Sequence, residues 1–477
     1  MPVFVWKERD KEYRLPFEGT PTVAELLRER DLSVHAPCGG MGKCGKCAVV
    51  LHGQVSPPHQ AELLAGHRLS CRAQLLGDAK GAPLREEAFA HVEGTEYTAE
   101  HSLGAVSAAV DVGTTTLALK VFAPDGSPMG EATALNPNAS YGADVMSRIL
   151  ASTQGHGQAM QASLIASIRH LLEQAKGLDA ANMVITGNTA MLYLLTGQPP
   201  HALATAPFLA DRLFGEELPC KDKNIYLPPC MNAFVGADTT CAVLASGMTT
   251  RAETALLCDV GTNGELALWK GGRLYVTSAS AGPAFEGGEL SCGCGYIPGA
   301  VCKAWTANGR LYTQTVENAP PVGICGSGLL DLLSSLLETG DMDESGAIHG
   351  DFVDVGGIRL TQKDIRKAQM AKAAMAAGIE MLLKRSGTAE SDVSRVYLAG
   401  GFGTHLSPVS ASAIGMIPRS FASKTVPLGN AALQGACMLL EGEAHREEAK
   451  KIASSATHVE LGGSEDFNTA FVSHMNF

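Results

Sequence analysis

No run of about 18 apolar residues occurs anywhere in the 477-residue sequence, so no membrane-spanning helix is expected. A secretory leader is not expected either, because Lys7, Arg9 and Lys11 crowd the start with no apolar segment of the right kind behind them. The expectation is a cytoplasmic protein. Positive charge is also short: 37 Lys and Arg stand against 49 Asp and Glu, a net charge of −12. Residues 1–80 hold eleven basic and nine acidic side chains, a balance of +2, and residues 81–477 carry the remaining −14. That acidic majority argues against nucleic acid or an anionic membrane as partner and leaves a protein or a small molecule. Hydrophobic residues make up 45% and charged residues 18%, and the 53 Gly and 23 Pro are spread without period, which excludes disordered, coiled-coil and collagen-like chains. The length suggests about two to four domains.

Residues 1–80 read as a small β-rich unit. An apolar run, Val3 to Trp6, is followed by a polar turn at Arg9-Asp10-Lys11 and a second strand around Tyr13 to Phe17. Thr22 with Glu25 forms a capping box, and Val23, Leu26 and Leu27 give the helix behind it one apolar face. Another strand is expected at Cys47 to Leu51, and residues 81–105 look like a linker. From residue 106 the texture becomes strands that end in Gly/Thr turns and alternate with helices, the pattern of an α/β domain.

Thirteen cysteines, an odd number, favour ligation or buried thiols over a disulfide framework. Cys38, Cys44 and Cys47 are spaced C-x5-C-x2-C in a loop holding Gly39, Gly40, Gly42 and Gly45, and Cys71 follows after 23 residues. Four thiolates so arranged suit a [2Fe-2S] cluster, with glycines letting backbone amides approach the sulfurs. The alternative is zinc, which more often uses two C-x2-C knuckles. With the β-grasp segment before it, this region resembles ferredoxin domains of the plant and adrenodoxin type. Gly40, Gly42 and Gly45 also spell G-x-G-x-x-G, but cysteines interrupt that motif where a helix should start, so it is no dinucleotide fingerprint. Lys43 and Lys46 flank the cluster loop and read as solvated lysines or as a partner-facing pair.

Two turns carry the second signal. Asp111-Val112-Gly113-Thr114-Thr115-Thr116 and Asp259-Val260-Gly261-Thr262-Asn263-Gly264, 148 residues apart, each sit between two apolar strands. Such a turn offers amides and hydroxyls to phosphate oxygens, with a carboxylate able to hold hydrated Mg²⁺. Their repetition points to a duplicated domain. A third motif, Val396 to Gly403, runs an apolar strand into Gly400, Gly401 and Gly403, where backbone can lie flat against a nucleotide. No G-x-x-x-x-G-K-[S/T] loop is present, so an ATP site would not be of the P-loop kind.

These three motifs resemble phosphate 1, phosphate 2 and adenosine of the ASKHA superfamily, the fold of actin, hexokinase, acetate kinase and the heat-shock chaperones. The resemblance implies two lobes closing on ATP-Mg²⁺. Asp111 and Asp259 would face the metal, Gly113 to Thr116 and Gly261 to Gly264 would cradle phosphates, and Gly400, Gly401 and Gly403 would meet adenosine. Asp238, after an apolar strand end, is a candidate for positioning water or Mg²⁺, or else a helix N-cap. Glu286, in a Gly/Ala/Pro loop, is a candidate ribose ligand or else a solvated acid. Gly326-Ser327-Gly328 reads as the close-packed start of an inter-lobe helix, Cys292, Cys294 and Cys302 as loop or buried thiols rather than a second metal site, and His405 carries no assigned role.

The segments Ile185 to Thr189, Gly236-Ala237-Asp238, Ala281 to Gly287 and Gly323 to Gly328 look like those of the reductive activators of corrinoid proteins, which join a [2Fe-2S] domain to an ASKHA ATPase. The linker here is shorter than in well-known members. The expected fold is therefore α/β and α+β: a β-grasp [2Fe-2S] domain (1–80), a linker (81–105) and a two-lobed, duplicated, actin-like ATPase (106–250 and 251–477). The implied activity is ATP-driven return of a partner's Co(II) corrinoid to Co(I). It acts in trans, since no Asp-x-His-x-x-Gly corrinoid-binding motif occurs in the chain. The implied electron donor is a ferredoxin or flavodoxin, and the implied assembly a homodimer. Competing readings are an activator of another low-potential enzyme of the dehydratase type, and a small-molecule kinase of this fold with a regulatory cluster. A plain ferredoxin-like carrier would leave both Asp-Gly-Thr turns without a role.

Overall fold

The computed structural model describes residues 1–8, 11–30, 32, 40, 42, 45–65, 67–84, 97–218, 220, 223–401 and 405–477. Two compact units are present, residues 1–88 with 137–164, and residues 89–136 with 165–477.

In the first unit, a five-stranded sheet runs in the order Lys11–Pro16, Val3–Glu8, Leu75–Pro83, Ala48–Val55, Arg68–Leu69. Val3–Glu8 pairs antiparallel with Lys11–Pro16 and parallel with Leu75–Pro83. With the helix Val23–Arg28 between the second and third strands, this is a β-grasp. The expected capping box is present: Glu25 N donates to Thr22 Oγ1 (3.2 Å) and Thr22 N donates to the Glu25 carboxylate (2.8 Å). The helix buries Val23, Leu26 and Leu27 against Phe4, Trp6 and Leu75. Within the second segment of this unit, Asp144 caps Val145–Ala151, and the buried Arg148 donates from Nε to the Gly142 carbonyl (3.0 Å).

The second unit repeats one pattern twice. One sheet is ordered Glu216–Leu218, Asn224–Leu227, Asn182–Gly187, Ser107–Val112, Thr116–Phe122, Pro128–Leu135; the other is ordered Thr425–Gly429, Arg395–Ala399, Ala255–Val260, Gly264–Lys270, Arg273–Ala279, Ala456–His458. In each, a three-stranded antiparallel meander meets parallel strands on the far side of its first strand. That first strand is apolar and buried along almost its whole length, as strands covered on both faces must be. Equivalent helices, Ala237–Ser246 and Ala431–Met438, follow equivalent strands and pack on each other in a core shared with both sheets, through Cys241, Leu244, Leu433 and Ala436. Gly435 permits the approach, because a Cβ there would lie 2.0 Å from the Cys241 carbonyl oxygen. Gly328 does the same for the helix Gly326–Thr339, where a Cβ would stand 2.0 Å from the Val301 carbonyl.

Residues 97–104 lie on this unit. Tyr97 donates to Glu441 and meets the Phe122 ring edge-on, while the Leu103 and Gly104 amides donate to the Pro124 carbonyl (both 2.9 Å). Among the described residues no helix is long and apolar enough to cross a membrane.

Gly435→Ala should force the two inner helices apart and cost about 1–3 kcal/mol, as small-to-large changes in tight cores do. A melting temperature equal to that of the unmodified protein would show that the helices can part freely.

Candidate functional site

Cys47 ends its loop just before the strand Ala48–Val55 and is fully buried against Leu69. Its sulfur lies 3.2 Å from that of Cys71, well beyond the about 2.05 Å of a disulfide and close enough for both to ligate one metal atom. Gly40, Gly42 and Gly45 all have positive φ (81°, 71° and 70°), a conformation in which side chains are strained, and a Cβ on Gly40 would touch the Cys71 Cβ at 3.7 Å. Cys38, Cys44 and Lys43 lie outside the described residues.

Glu62 is a contributor that sequence reasoning missed. Its buried carboxylate accepts from the Leu69 amide and Arg68 Nε (both 2.9 Å) and from the His59 amide (2.6 Å). Burial alone would raise its pKa, yet these donors outweigh burial and hold it below the usual range. The bonds fix Arg68–Leu69, and Ser70 N, next along, donates to the Cys47 carbonyl (2.8 Å), which aligns the Cys71 segment with Cys47. An acid between Ala61 and Leu63 has no sequence signature for that role.

In the second unit, one pocket gathers the residues of both turns and the third glycine motif. It is lined by Asp111, Gly113 to Thr116, Asp238, Asp259, Gly261 to Asn263, Glu286, Gly400 and Gly401, together with Asn188, Glu265 and Asn430. Gly264 opens the strand behind the second turn, and a Cβ there would lie 2.1 Å from Met375 Sδ, so it shapes the turn from outside the lining. Gly403 lies outside the described residues. None of the described lining residues is Lys, Arg or His.

The strands aim the acids. Asp111 and Asp259 are the penultimate residues of the two equivalent strands. Glu265 lies directly across from Asp259 in the register, where like charges repel. The carbonyls of Gly113 and Thr262 are taken by Asn136 Nδ2 (2.7 Å) and the Gly282 amide (2.8 Å), so the planar trans peptides send the Thr114 and Asn263 N–H groups the opposite way. Gly400 has φ +126°, and a Cβ there would lie 2.4 Å from the Val260 carbonyl and 3.3 Å from Asp259 Oδ1.

Asp238 is not an N-cap: Gly236 caps the helix, and Asp238 sits in its first turn with Oδ1 accepting from the Thr239 amide (2.7 Å). Glu286 is no solvated loop acid. It ends the short helix Pro283–Glu286 and accepts from Thr115 Oγ1 (2.8 Å) and from Thr262 Oγ1, one hydroxyl from each turn. Sequence reasoning missed Glu265, Asn188 and Asn430 as site residues. Asn188 and Asn430 are N-caps whose Nδ2 atoms donate to Thr114 Oγ1 (2.9 Å) and to Asp111 Oδ2 (3.0 Å). Helix-start asparagines after a glycine, Gly187-Asn188 and Gly429-Asn430, were the available signal.

Burial is the main cause that raises the pKa values of these carboxyls. Asp111 is pushed up to about 7 by burial, against the Asn430 bond and with the Asp238 charge adding to it. Asp238 is pushed up to about 6 by burial, against its bonds from Thr239. Asp259 reaches about 8 through burial and the charges of Asp238, Asp111 and Glu286. Glu265 is raised by burial and then by Asp238 and Asp259. Among the described residues, the His/Cys/Asp/Glu group with ligand atoms within 4.8 Å of one another is Glu100, His101 and Glu441 on the surface. No three of the pocket acids, among the described residues, have ligand atoms within 4.8 Å of one another. Cys292, Cys294 and Cys302 form no such group; Cys302 Sγ donates to the Gln314 carbonyl (3.5 Å), and Cys325 Sγ to that of Val301 (3.3 Å). His405 stacks on Tyr296, with ring centroids 4.6 Å apart.

A duplicated fold that brings two Asp-x-Gly-Thr turns and a glycine strand end to one acid-lined pocket defines an ASKHA-type domain, here carried behind a ferredoxin-like β-grasp. Residues 253–477 match the family model described as the C-terminal domain of RACo, the ASKHA domain, residues 106–251 the RACo middle region, and residues 7–76 the 2Fe-2S iron-sulfur cluster binding domain. Corrinoid activation enzyme RamQ of Eubacterium limosum is 29% identical over 415 residues, 77% of this chain and 70% of that protein. The Co(II) methylated amine-specific corrinoid protein reductase of Methanosarcina barkeri is 28% identical over 295 residues, 57% of this chain and 54% of that protein. A solved reductive activator for corrinoid, iron-sulfur protein shares the fold over 100% of this chain and 98% of its own, with a TM-score of 0.73 and 24% identity. The chain belongs to the family of reductive activators of corrinoid proteins, with a 2Fe-2S domain and an ASKHA domain.

A carboxyl whose pKa is raised in the fold favours folding while protonated. That contribution is full below the ordinary carboxylate range and is lost as pH rises through the folded values. With Asp238, Asp111 and Asp259 at about 6, 7 and 8 against an ordinary value near about 4, the melting temperature of the ligand-free protein should fall from about pH 4 and level off above pH 8. Asp259→Asn should flatten that slope and stabilise the ligand-free protein at pH 8 by about 1–3 kcal/mol. Scanning fluorimetry across this range tests both, and a flat profile for the unmodified protein would remove the charge argument.

Proposed function

We propose that this chain is an ATP-hydrolysing activase that passes one electron from a [2Fe-2S] cluster in its N-terminal domain to the Co(II) corrinoid of a separate protein, restoring Co(I). The observation that carries the reading is the presence, in one chain, of a paired-cysteine glycine loop on a β-grasp sheet and a two-turn acid pocket in a duplicated ATPase fold. The names of its relatives support the acceptor.

In this reading residues 1–80 form the cluster domain and 106–250 and 251–477 the two ATPase lobes, and 81–105 joins them, its first residues still in the strand that ends at Pro83 and residues 97–104 held on the second unit. Cys38, Cys44, Cys47 and Cys71 hold the cluster, which supplies a one-electron carrier of low potential, on the order of −400 mV for plant-type centres. Burial of Cys47 beside Leu69 and the Glu62 bonds keep the cysteine pair in register. A pocket lined by several acids and no described Lys, Arg or His fits Mg²⁺ bound with ATP. Asp111, Asp259 and Asp238 would hold that cation. Thr114 to Thr116, Thr262 and Asn263 offer hydroxyls and amides to the phosphates, Gly264 shapes the second turn from behind, and Gly400 and Gly401, with Gly403, leave the adenosine room. The nucleotide acts by favouring one arrangement of the two lobes, because a ligand shifts an equilibrium only by binding one state better than another. A ferredoxin or flavodoxin supplies the electron, the working assembly is a homodimer, and the protein acts in the cytoplasm.

The test mixes the anaerobically reduced protein, ATP-Mg²⁺ and a Co(II) corrinoid protein and follows the Co(I) absorption band. Co(I) should appear only when all three are present. Cys47→Ser should abolish its formation while leaving nucleotide binding intact, and Asp259→Ala should abolish ATP hydrolysis while leaving the cluster spectrum unchanged. Phosphate transferred to a small molecule, with no Co(I) formed, would turn the reading to a kinase.

A further inference from the structure

Glu286 holds the two phosphate turns to each other. Thr115 and Thr262 stand one step apart in the matched turns, Thr262 answering Thr114 and Thr115 answering Asn263, and their hydroxyl oxygens are 3.2 Å apart. Both hydroxyls donate to the same atom, Glu286 Oε2. An anionic oxygen receiving one hydroxyl from each Asp-x-Gly-Thr turn is what those turns would present to a phosphate oxygen, so the carboxylate occupies ground that a polyphosphate needs. Two anions cannot share those donors. We propose that Glu286 is a nucleotide-displaced clasp: its carboxylate ties the two turns together in the ligand-free protein and is turned out when phosphates enter.

This rests on the pocket being a nucleotide site and adds what that reading lacks, a residue through which occupancy is felt by both halves at once. The loop is built so that the side chain moves rather than the backbone. Phe285, next to it, is fully buried, and Gly287, at φ +73°, is wedged where a Cβ would lie 2.2 Å from the Cys294 carbonyl oxygen. Glu286 itself is only partly buried and borders the open pocket. A ribose ligand would act on the nucleoside, whereas the clasp acts on the phosphates alone.

Calorimetric titration of the full chain with adenosine and with Mg²⁺-ADP separates the two roles. Glu286→Gln keeps the shape and one acceptor but removes the charge. It should bind Mg²⁺-ADP about tenfold more tightly than the unmodified protein, a typical size for a coupling between two bound states, and adenosine equally well. Glu286→Asp, one methylene shorter and still charged, should fall between the two for Mg²⁺-ADP. If Glu286→Gln leaves Mg²⁺-ADP affinity unchanged or weakens it, or weakens adenosine, the clasp is overturned while the nucleotide site stands. If the unmodified protein binds neither Mg²⁺-ADP nor Mg²⁺-ATP, the nucleotide reading itself fails. Melting of ligand-free Thr115→Val, Glu286→Gln and the double variant supplies a second readout. Strictly additive losses overturn the clasp, and a double variant no worse than the poorer single one supports it.

Discussion

Carboxylates crowded around a pocket without a basic residue are the constraint from which the rest of the ATPase half follows. Asp111, Asp238, Asp259, Glu265 and Glu286 enter it from four strands and helices and one loop turn, each fixed by its own packing. At an effective dielectric constant of 20, two such charges 4 Å apart repel by about 4 kcal/mol. The fold lowers that cost by raising the pKa values of the acids and by placing hydrogen-bond donors on them: the Asn430 side chain on Asp111, the Thr239 backbone amide on Asp238, and the Thr115 and Thr262 hydroxyls on Glu286. A divalent cation of the kind proposed for this pocket would reverse the sign of the field.

Duplication supplies the geometry, and divergence supplies the chemistry. The inner helices begin at equivalent points, one as Gly236-Ala237-Asp238 and the other as Asn430-Ala431-Ala432. One half contributes a buried acid to the pocket, and the other places Ala432 at the equivalent position and uses its cap, Asn430, to reach across to Asp111. The strand partner of Asp259 is Glu265, whereas that of Asp111 is Ala118. A symmetric ancestor would put equal charge on both sides. The present chain loads the half that follows residue 251 more heavily and leaves Asp111 with a neutral donor.

Much of this was legible in the sequence because it rests on local signals. The capping box at Thr22, the two Asp-x-Gly-Thr turns and the strand running into Gly400 are short patterns whose residues meet within a few positions, and the structure places them as expected. Asp111 and Asp259 still belong to their strands, which continue through Val112 and Val260 rather than breaking at the acid. What stayed hidden depends on partners distant in sequence. Glu265 is conspicuous only once the register sets it across from Asp259. Asn430 matters because a strand 319 residues earlier ends beneath it. Glu62 matters because three donors from two other segments converge on one carboxylate. Glu286 resembled a loop acid until the two threonines met at it.

The energetics set what nucleotide must contribute. Moving one electron against 100 mV requires about 2.3 kcal/mol, and couplings between two ligand sites are typically about 1–3 kcal/mol. A single coupled switch of ordinary size therefore covers a gap of roughly 100 mV and not several times that. For an acceptor much harder to reduce than the cluster, the remainder has to come from a change in the acceptor's own coordination, held by the activator in one nucleotide state and released in the other. That division fits a chain in which residues matching the 2Fe-2S domain number far fewer than those matching the two ATPase regions. Carrying the electron needs four thiolates and a small sheet. Making its transfer depend on a nucleotide takes the larger part of the chain, two sheets of like order joined through one core.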